Sequence, residues 1–221
     1  LEEIKKVLQS KQLLRYGDPS RGHLQEVVNF EREWAEKIGS GYALLMSGGG
    51  TSALASALIG LDIGPGDEVI VPGYTFIATA SAVLNAGAIP VIAEIDETLT
   101  LDPEDFEKKI TPNTRAVIPV HMQGLPADMD RIAEIAKKHN IKVVEDACQA
   151  VGGSYRGKRL GSLGNVGVFS FNYYKIISCG EGGCIVTDDR SVYEKVLVYH
   201  DSGFTFLSPS AKEVEIPIFI G

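Results

Sequence analysis

The sequence predicts an α/β fold: a mostly parallel central sheet with helices on both faces. Two observations carry this. From residue 42 onward, short Val/Ile-rich runs alternate with helical stretches, and strand–helix alternation of that kind builds a parallel sheet. The runs are also too apolar to leave one face in water, so helices must cover both sides. A third observation sets the scale. The chain has 221 residues, 44% apolar and 23% charged, an ordinary globular balance sufficient for one large domain or two small ones of roughly 100–200 residues.

Residues 1–38 read as helical, with Val27, Phe30, Trp34 and Ile38 at three- and four-residue spacing. A stripe of that kind packs on a core, so Trp34 is expected to pack rather than react. Tyr42–Met46 is a strand before a helix opening at Thr51. Glu68–Val71 leads to a helix over Thr75–Asn85, and Ile89–Ala93 to one over Pro103–Lys109. The strand Arg115–Val120 precedes an amphipathic helix over Ala127–His139, with Met129, Ile132, Ile135 and Ala136 on one side. Strands over Lys142–Glu145, Val166–Phe171 and Cys184–Thr187 complete the sheet, before a helix over Val192–Tyr199. The stretch Gly152–Gly167 carries six glycines and a hairpin around Ser154–Arg159.

Composition narrows the function. A formal charge of −8 without a basic stripe argues against nucleic acid as a partner. No apolar run reaches the roughly 20 residues needed to span a bilayer, and no secretory leader is read ahead of the first helix. Cys148, Cys179 and Cys184 fall on separate elements with no histidine at ligand spacing. The expectation is reduced thiols in a cytoplasmic protein that holds no metal. The chain starts at Leu1 and stops inside the apolar run Ile218-Phe219-Ile220-Gly221, which reads as a fragment, because exposed Phe and Ile seldom close a domain.

Three segments carry chemistry. Gly48-Gly49-Gly50 ahead of Thr51-Ser52 lets backbone N–H groups approach an anion at a helix N-terminus; alone, it also fits a tight turn capped by Ser or Thr. Consecutive glycines fit a G-x-G-x-x-G dinucleotide fingerprint poorly. Asp146 ends the run Val143-Val144-Glu145-Asp146; such a carboxylate either caps the next helix or pairs with a protonated ring nitrogen. Lys175 enters a turn of small residues after the run Val166–Phe171, where it reads either as a solvated turn lysine or as a desolvated amine, a nucleophile toward aldehydes. A phosphate cradle, a carboxylate and an amine together are what pyridoxal phosphate requires. Gln149 lies one turn beyond Asp146, Phe76 follows the strand Glu68–Val71, and Ser170 sits five residues before Lys175. Phe76 reads either as core or as a stack on a flat ring. His121 and His200 read as structural.

These residues resemble the sugar aminotransferases of the DegT/DnrJ/EryC1/StrS type. The likeness rests on Gly50-Thr51-Ser52-Ala53-Leu54, Gly64-Pro65-Gly66-Asp67-Glu68-Val69-Ile70-Val71-Pro72, Thr75-Phe76, Ile118-Pro119-Val120-His121, Glu145-Asp146-Ala147, Phe169-Ser170-Phe171 with Lys175, and Gly180-Glu181-Gly182-Gly183. The resemblance implies the aspartate-aminotransferase-like large domain of fold-type-I pyridoxal phosphate enzymes over residues 41–205. It implies an N-terminal helical segment over 1–40 and, over 206–221, the start of a connection to a C-terminal domain.

It further implies that Lys175 forms the Schiff base with pyridoxal 5'-phosphate and shuttles a proton. Asp146 would pair with the pyridine nitrogen, Gln149 contact the ring oxygen, and Phe76 stack on the ring. Gly50, Thr51, Ser52 and Ser170 would hold the phosphate. The implied reaction moves an amino group from L-glutamate or L-glutamine to a nucleotide-linked keto sugar or a cyclitol, in a homodimer. Some relatives carry histidine in place of the lysine and act as dehydratases; Lys175 favours transamination. The glycine run is one residue longer than the family pattern. A non-catalytic cofactor-binding or regulatory homologue, and a nucleotide-binding α/β domain, are the alternatives. The second leaves Lys175 unexplained.

Overall fold

The computed structural model describes residues 1–201; the expected connection over 206–221 lies outside the described residues. Two helices, α1 (Glu2–Ser10) and α2 (Glu26–Ile38), stand ahead of strand β1 (Tyr42–Met46). The single helical region expected over residues 1–38 is thus divided. Between the helices lies a short 3-10 turn, Pro19–Arg21, which Asp18 caps through its carboxylate. Proline fixes the backbone at its first position, and Gly22 closes it with φ +85°.

Helix α3 (Gly49–Gly60) follows β1, then β2 (Glu68–Pro72), α4 (Ala78–Asn85), β3 (Ile89–Ala93) and α5 (Pro103–Lys108). After them come β4 (Thr114–Val117), α6 (Met129–His139), β5 (Lys142–Asp146), the hairpin β6 (Ser154–Tyr155) and β7 (Lys158–Arg159), β8 (Val166–Ser170), β9 (Gly183–Thr187) and α7 (Arg190–His200).

The seven large strands form one sheet in the order β1-β9-β8-β5-β4-β2-β3. Contacts from β8 through β3 are parallel, while β9 runs antiparallel to both β8 and β1. The expectation of a mostly parallel sheet holds, and β9 is the exception. It is reached from β8 by the loop carrying Lys175 and needs no crossover helix.

Several elements start or stop away from their expected places: β4 ends at Val117 rather than Val120, α6 begins at Met129 rather than Ala127, and α7 begins at Arg190 rather than Val192. Helix α3 opens at Gly49 rather than Thr51, with Gly48 as its N-cap, because the glycines themselves fold into its first turn. Helix α4 begins at Ala78, not Thr75, since Pro72-Gly73-Tyr74 turns the chain away from β2 first. Strand β8 ends at Ser170, five residues before Lys175.

Side-chain alternation along β5 divides the core into two faces. Val144 packs in a cluster with Leu54 and Leu58 of α3, Ala82 and Val83 of α4 and Val196 of α7. Val143 packs on the other face with Phe106 of α5 and Met129, Ile132 and Ile135 of α6. On that second face Trp34 of α2 stacks on Phe30, and it meets Phe169 and Phe171 edge-to-face at 5.2 and 5.1 Å. Trp34 is 6% exposed, so it packs as expected. Helices therefore cover both faces.

Candidate active site

The alternation that sorts the core also aims the site. Asp146 lies two residues beyond Val144, and Ser170 two beyond Val168, whose side chain is in the same cluster as Val144. Both polar side chains thus emerge at the strand ends on the α3 face. Helix α3 is pressed hard against those ends. A Cβ on Gly50 would come within 2.9 Å of both Cys148 Sγ and Ser170 Cβ, so only glycine allows this approach. Gly49 has φ +76°, a conformation glycine adopts without strain.

The result is a cavity of about 670 Å³ beyond the sheet edge, within the range of small-molecule sites. Its lining brings together Gly50, Thr51, Phe76, Asp146, Gln149, Ser170 and Lys175, seven of the eight residues singled out from the sequence. Ser52 is not among the lining residues; it is half-buried, and its hydroxyl donates to the Gly49 carbonyl at 2.9 Å within the first turn of α3. A serine in the first turn of a helix is within reach of its own backbone, and that local bond prevails here.

Each wall residue is held by its neighbours. Asp146 is 5% exposed. One carboxylate oxygen accepts the Cys148 backbone N–H at 3.1 Å and the other the Thr79 hydroxyl at 2.9 Å. Asp146 therefore braces the turn that follows β5, where a helix is one expectation from sequence, and it also lines the cavity. Gln149 accepts the Gln123 N–H at 3.3 Å and directs its amide nitrogen toward Met122 Sδ at 3.4 Å, which leaves a second amide hydrogen free to point elsewhere. Gln123 has φ +55° within the turn Met122–Gly124.

Phe76 is 63% exposed and so is not a core residue. The half-buried Lys175 places Nζ 6.0 Å from its ring centroid. Lys175 sits in a turn tied by its own N–H to the Asn172 carbonyl at 2.9 Å, while the Asn172 side-chain amide donates to Glu181 at 2.5 Å. Burial pushes the Cys148 thiol well above its ordinary range, with Asp146 adding to the effect. Cys148 is thus a neutral packing group.

Both histidines lie elsewhere. His121 is fully buried: Nδ1 accepts the Ala127 N–H at 3.2 Å, so Nε2 carries the hydrogen and donates to Glu145 at 3.0 Å. His200 ends α7, 2.8 Å from Asp201, and lines a separate cavity of about 340 Å³. Sequence reasoning missed Thr79, Thr75, Met122, Asn172 and Glu181 on the main cavity wall or against it. For two of these a signal existed: Thr75 and Thr79 are four residues apart in the helix expected from Thr75, a spacing that puts both on one side, although in the structure Thr75 precedes α4 and meets Thr79 through their hydroxyls at 2.8 Å.

The donor set fits pyridoxal phosphate. It comprises a helix N-terminus with glycine clearance, hydroxyls at Thr51 and Ser170, a buried carboxylate with free lone pairs, an amine, and an exposed phenyl face. Among the described residues no group of three or more His, Cys, Asp or Glu side chains is placed to hold a metal ion, and no helix is long and apolar enough to cross a membrane.

This architecture and wall define a large domain of the fold-type-I aminotransferase class. The chain belongs to the DegT/DnrJ/EryC1/StrS aminotransferase family, whose profile matches residues 1–214. It is 47% identical over 178 residues to the GDP-perosamine synthase of Caulobacter vibrioides, an alignment covering 80% of this chain and 48% of that protein. It is also 47% identical over 180 residues to the dTDP-3-amino-3,4,6-trideoxy-alpha-D-glucose transaminase of Streptomyces venezuelae, covering 80% and 47%. Among solved structures, the aminotransferase from Psychrobacter cryohalolentis superposes with a TM-score of 0.88 at 41% identity, over 98% of this chain and 53% of that one. The chain spans about half the length of the curated relatives it matches.

Proposed function

We propose that this chain is the cofactor-binding portion of a pyridoxal-phosphate-dependent aminotransferase. It transfers an amino group from L-glutamate or L-glutamine to the keto group of a nucleotide-linked keto sugar or a cyclitol. The observation that carries the reading is the convergence of Lys175, Asp146 and the glycine-opened end of α3 on one cavity. The relatives' names point to the same chemistry: a perosamine synthase, an amino-sugar transaminase and an L-glutamine:2-deoxy-scyllo-inosose aminotransferase.

Pyridoxal phosphate, when bound, supplies an electron sink for breaking a bond at the amino-bearing carbon. The chain's own residues do the rest. The N–H groups opening α3, with Thr51 and Ser170, hold the phosphate; Gly50 gives the clearance. Asp146 would supply the negative charge for the ring nitrogen, and Gln149, with one amide hydrogen on Met122, would have another left for the ring oxygen. Phe76 would cover one face of the ring and shield it from water. Lys175 Nζ would be the group that holds the cofactor's aldehyde carbon and the base and acid that moves the proton. The two half-reactions follow a ping-pong order.

Residues 41–205 form the cofactor domain in this reading, with 1–40 ahead of it and 206–221 leading onward to a C-terminal domain. The working unit is a homodimer in the cytoplasm. In support, Phe76, Ile77, Tyr173, Tyr174 and Ile176 are exposed around Lys175, the kind of apolar patch a partner covers. All three cysteines are unpaired.

The test is borohydride reduction of the full-length protein after incubation with pyridoxal phosphate, followed by peptide mapping. A phosphopyridoxyl group on Lys175 is expected. Adducts only on surface lysines of a correctly assembled protein would overturn the reading.

A further inference from the structure

Asp146 is not held by the backbone alone. Its second oxygen accepts the hydroxyl of Thr79, which is 1% exposed and 2.9 Å away. A threonine hydroxyl has one hydrogen, and here it is committed to the carboxylate. The 2.8 Å contact between the Thr79 and Thr75 hydroxyls then has one polarity: Thr75 donates and Thr79 accepts. The two side chains form a directed chain, Thr75 to Thr79 to Asp146, in which each bond polarises and strengthens the next. Both threonines line the cavity wall, on the segment that also carries Phe76.

We propose that Thr79, backed by Thr75, is a positioning residue that fixes the orientation and charge state of Asp146 toward a protonated heteroaromatic nitrogen. The geometry assigns the task. With the Cys148 N–H on one oxygen and Thr79 on the other, the carboxylate cannot turn, and its remaining lone pairs face the cavity. Donors on a carboxylate stabilise its ionised form. In a carboxylate–pyridinium pair they favour the ionic arrangement, with the proton on the ring nitrogen, over the neutral one, with the proton on the carboxyl. Removing the Thr79 hydroxyl moves that shared proton toward Asp146. No bond other than this shared N–H is altered.

The inference rests on the reading that the cavity takes pyridoxal phosphate, and one experiment separates the two. Full-length wild type, T79V, T79S and T75V are each loaded with pyridoxal phosphate carrying 15N in its ring, and the 15N resonance and the dissociation constant are measured. Wild type and T79S are expected to show the protonated-ring signal. T79V is expected to move toward the free-base signal and to bind roughly tenfold more weakly, the scale of one hydrogen bond to a charged group. T75V should shift the same way by less; at a half-buried site it also decides the matter should T79V not fold. A wild type that binds the cofactor with a protonated ring, alongside T79V or T75V signals identical to it, overturns the role of Thr79 and leaves the cofactor reading standing. A wild type that takes up no pyridoxal phosphate removes both.

Discussion

Glu145 and Asp146 are neighbours on one strand, yet the fold treats them in opposite ways. Glu145 points to the face covered by α5 and α6, is 0% exposed, and has every lone-pair direction engaged: His121 Nε2 and the Gly161 N–H on one oxygen, the Leu163 and Gly164 N–H groups on the other. Asp146 points to the α3 face with two donors and an open side. The sealed carboxylate ties three segments together, β5, the turn after β4 and the loop before β8; the open one lines the cavity. One acidic pair thus ties the scaffold on one face of the sheet and lines the cavity on the other. A buried charge is tolerable only when its hydrogen bonds are complete or a counter-charge arrives.

The comparison can be broken in several ways, taken from the largest expected effect. On the open face, Lys175→Ala should lower turnover of the full-length enzyme by roughly 10²–10⁴-fold, the range of a lost acid–base group, with thermal unfolding unchanged. A comparable loss of Tm would show that the Lys175 turn belongs to the scaffold. On the sealed face, Glu145→Ala strands three backbone N–H groups and a histidine. It should cost about 3–5 kcal/mol, seen as a fall of roughly 10 °C in Tm.

Asp146→Asn should do the reverse of Glu145→Ala. Cofactor affinity falls by roughly 10²–10³-fold, as when one partner of a buried pair is removed, while the apoprotein keeps its Tm. Equal destabilisation by the two substitutions would erase the distinction between the faces. Phe76→Ala should weaken pyridoxal phosphate by a factor of about 3–10, the scale of one aromatic stack, without touching the fold because the ring is 63% exposed.

The smallest effect is also the easiest to measure. Burial drives the Cys148 and Cys184 thiols well above their ordinary range, whereas Cys179 is exposed. The native protein at neutral pH should therefore give one rapidly reacting thiol, and three once denatured. A second fast thiol traced to Cys148 would mean that the cavity floor opens to solvent.

Much of this was legible in the chain before any coordinates. Alternating apolar runs and helical stretches determined a covered, mostly parallel sheet, because a strand without polar alternation has nowhere to stay but between two layers. The lone amine of Lys175, the strand-end carboxylate of Asp146 and the glycines before Thr51 marked one crevice, because strands that run parallel deliver their carboxyl ends to one edge. What the chain could not state were relations across sequence distance. That β9 runs against its neighbours follows from a short return loop, and apolar strands read alike in either direction. That His121 serves Glu145 depends on which side of β5 each residue faces. That Thr79, 67 residues from Asp146, supplies its hydrogen bond was decided only when α4 packed on the sheet. Local pattern reflects local periodicity and burial; the pairing of polar groups is settled by packing, since only the assembled layers determine which donor lies within 3 Å of which acceptor.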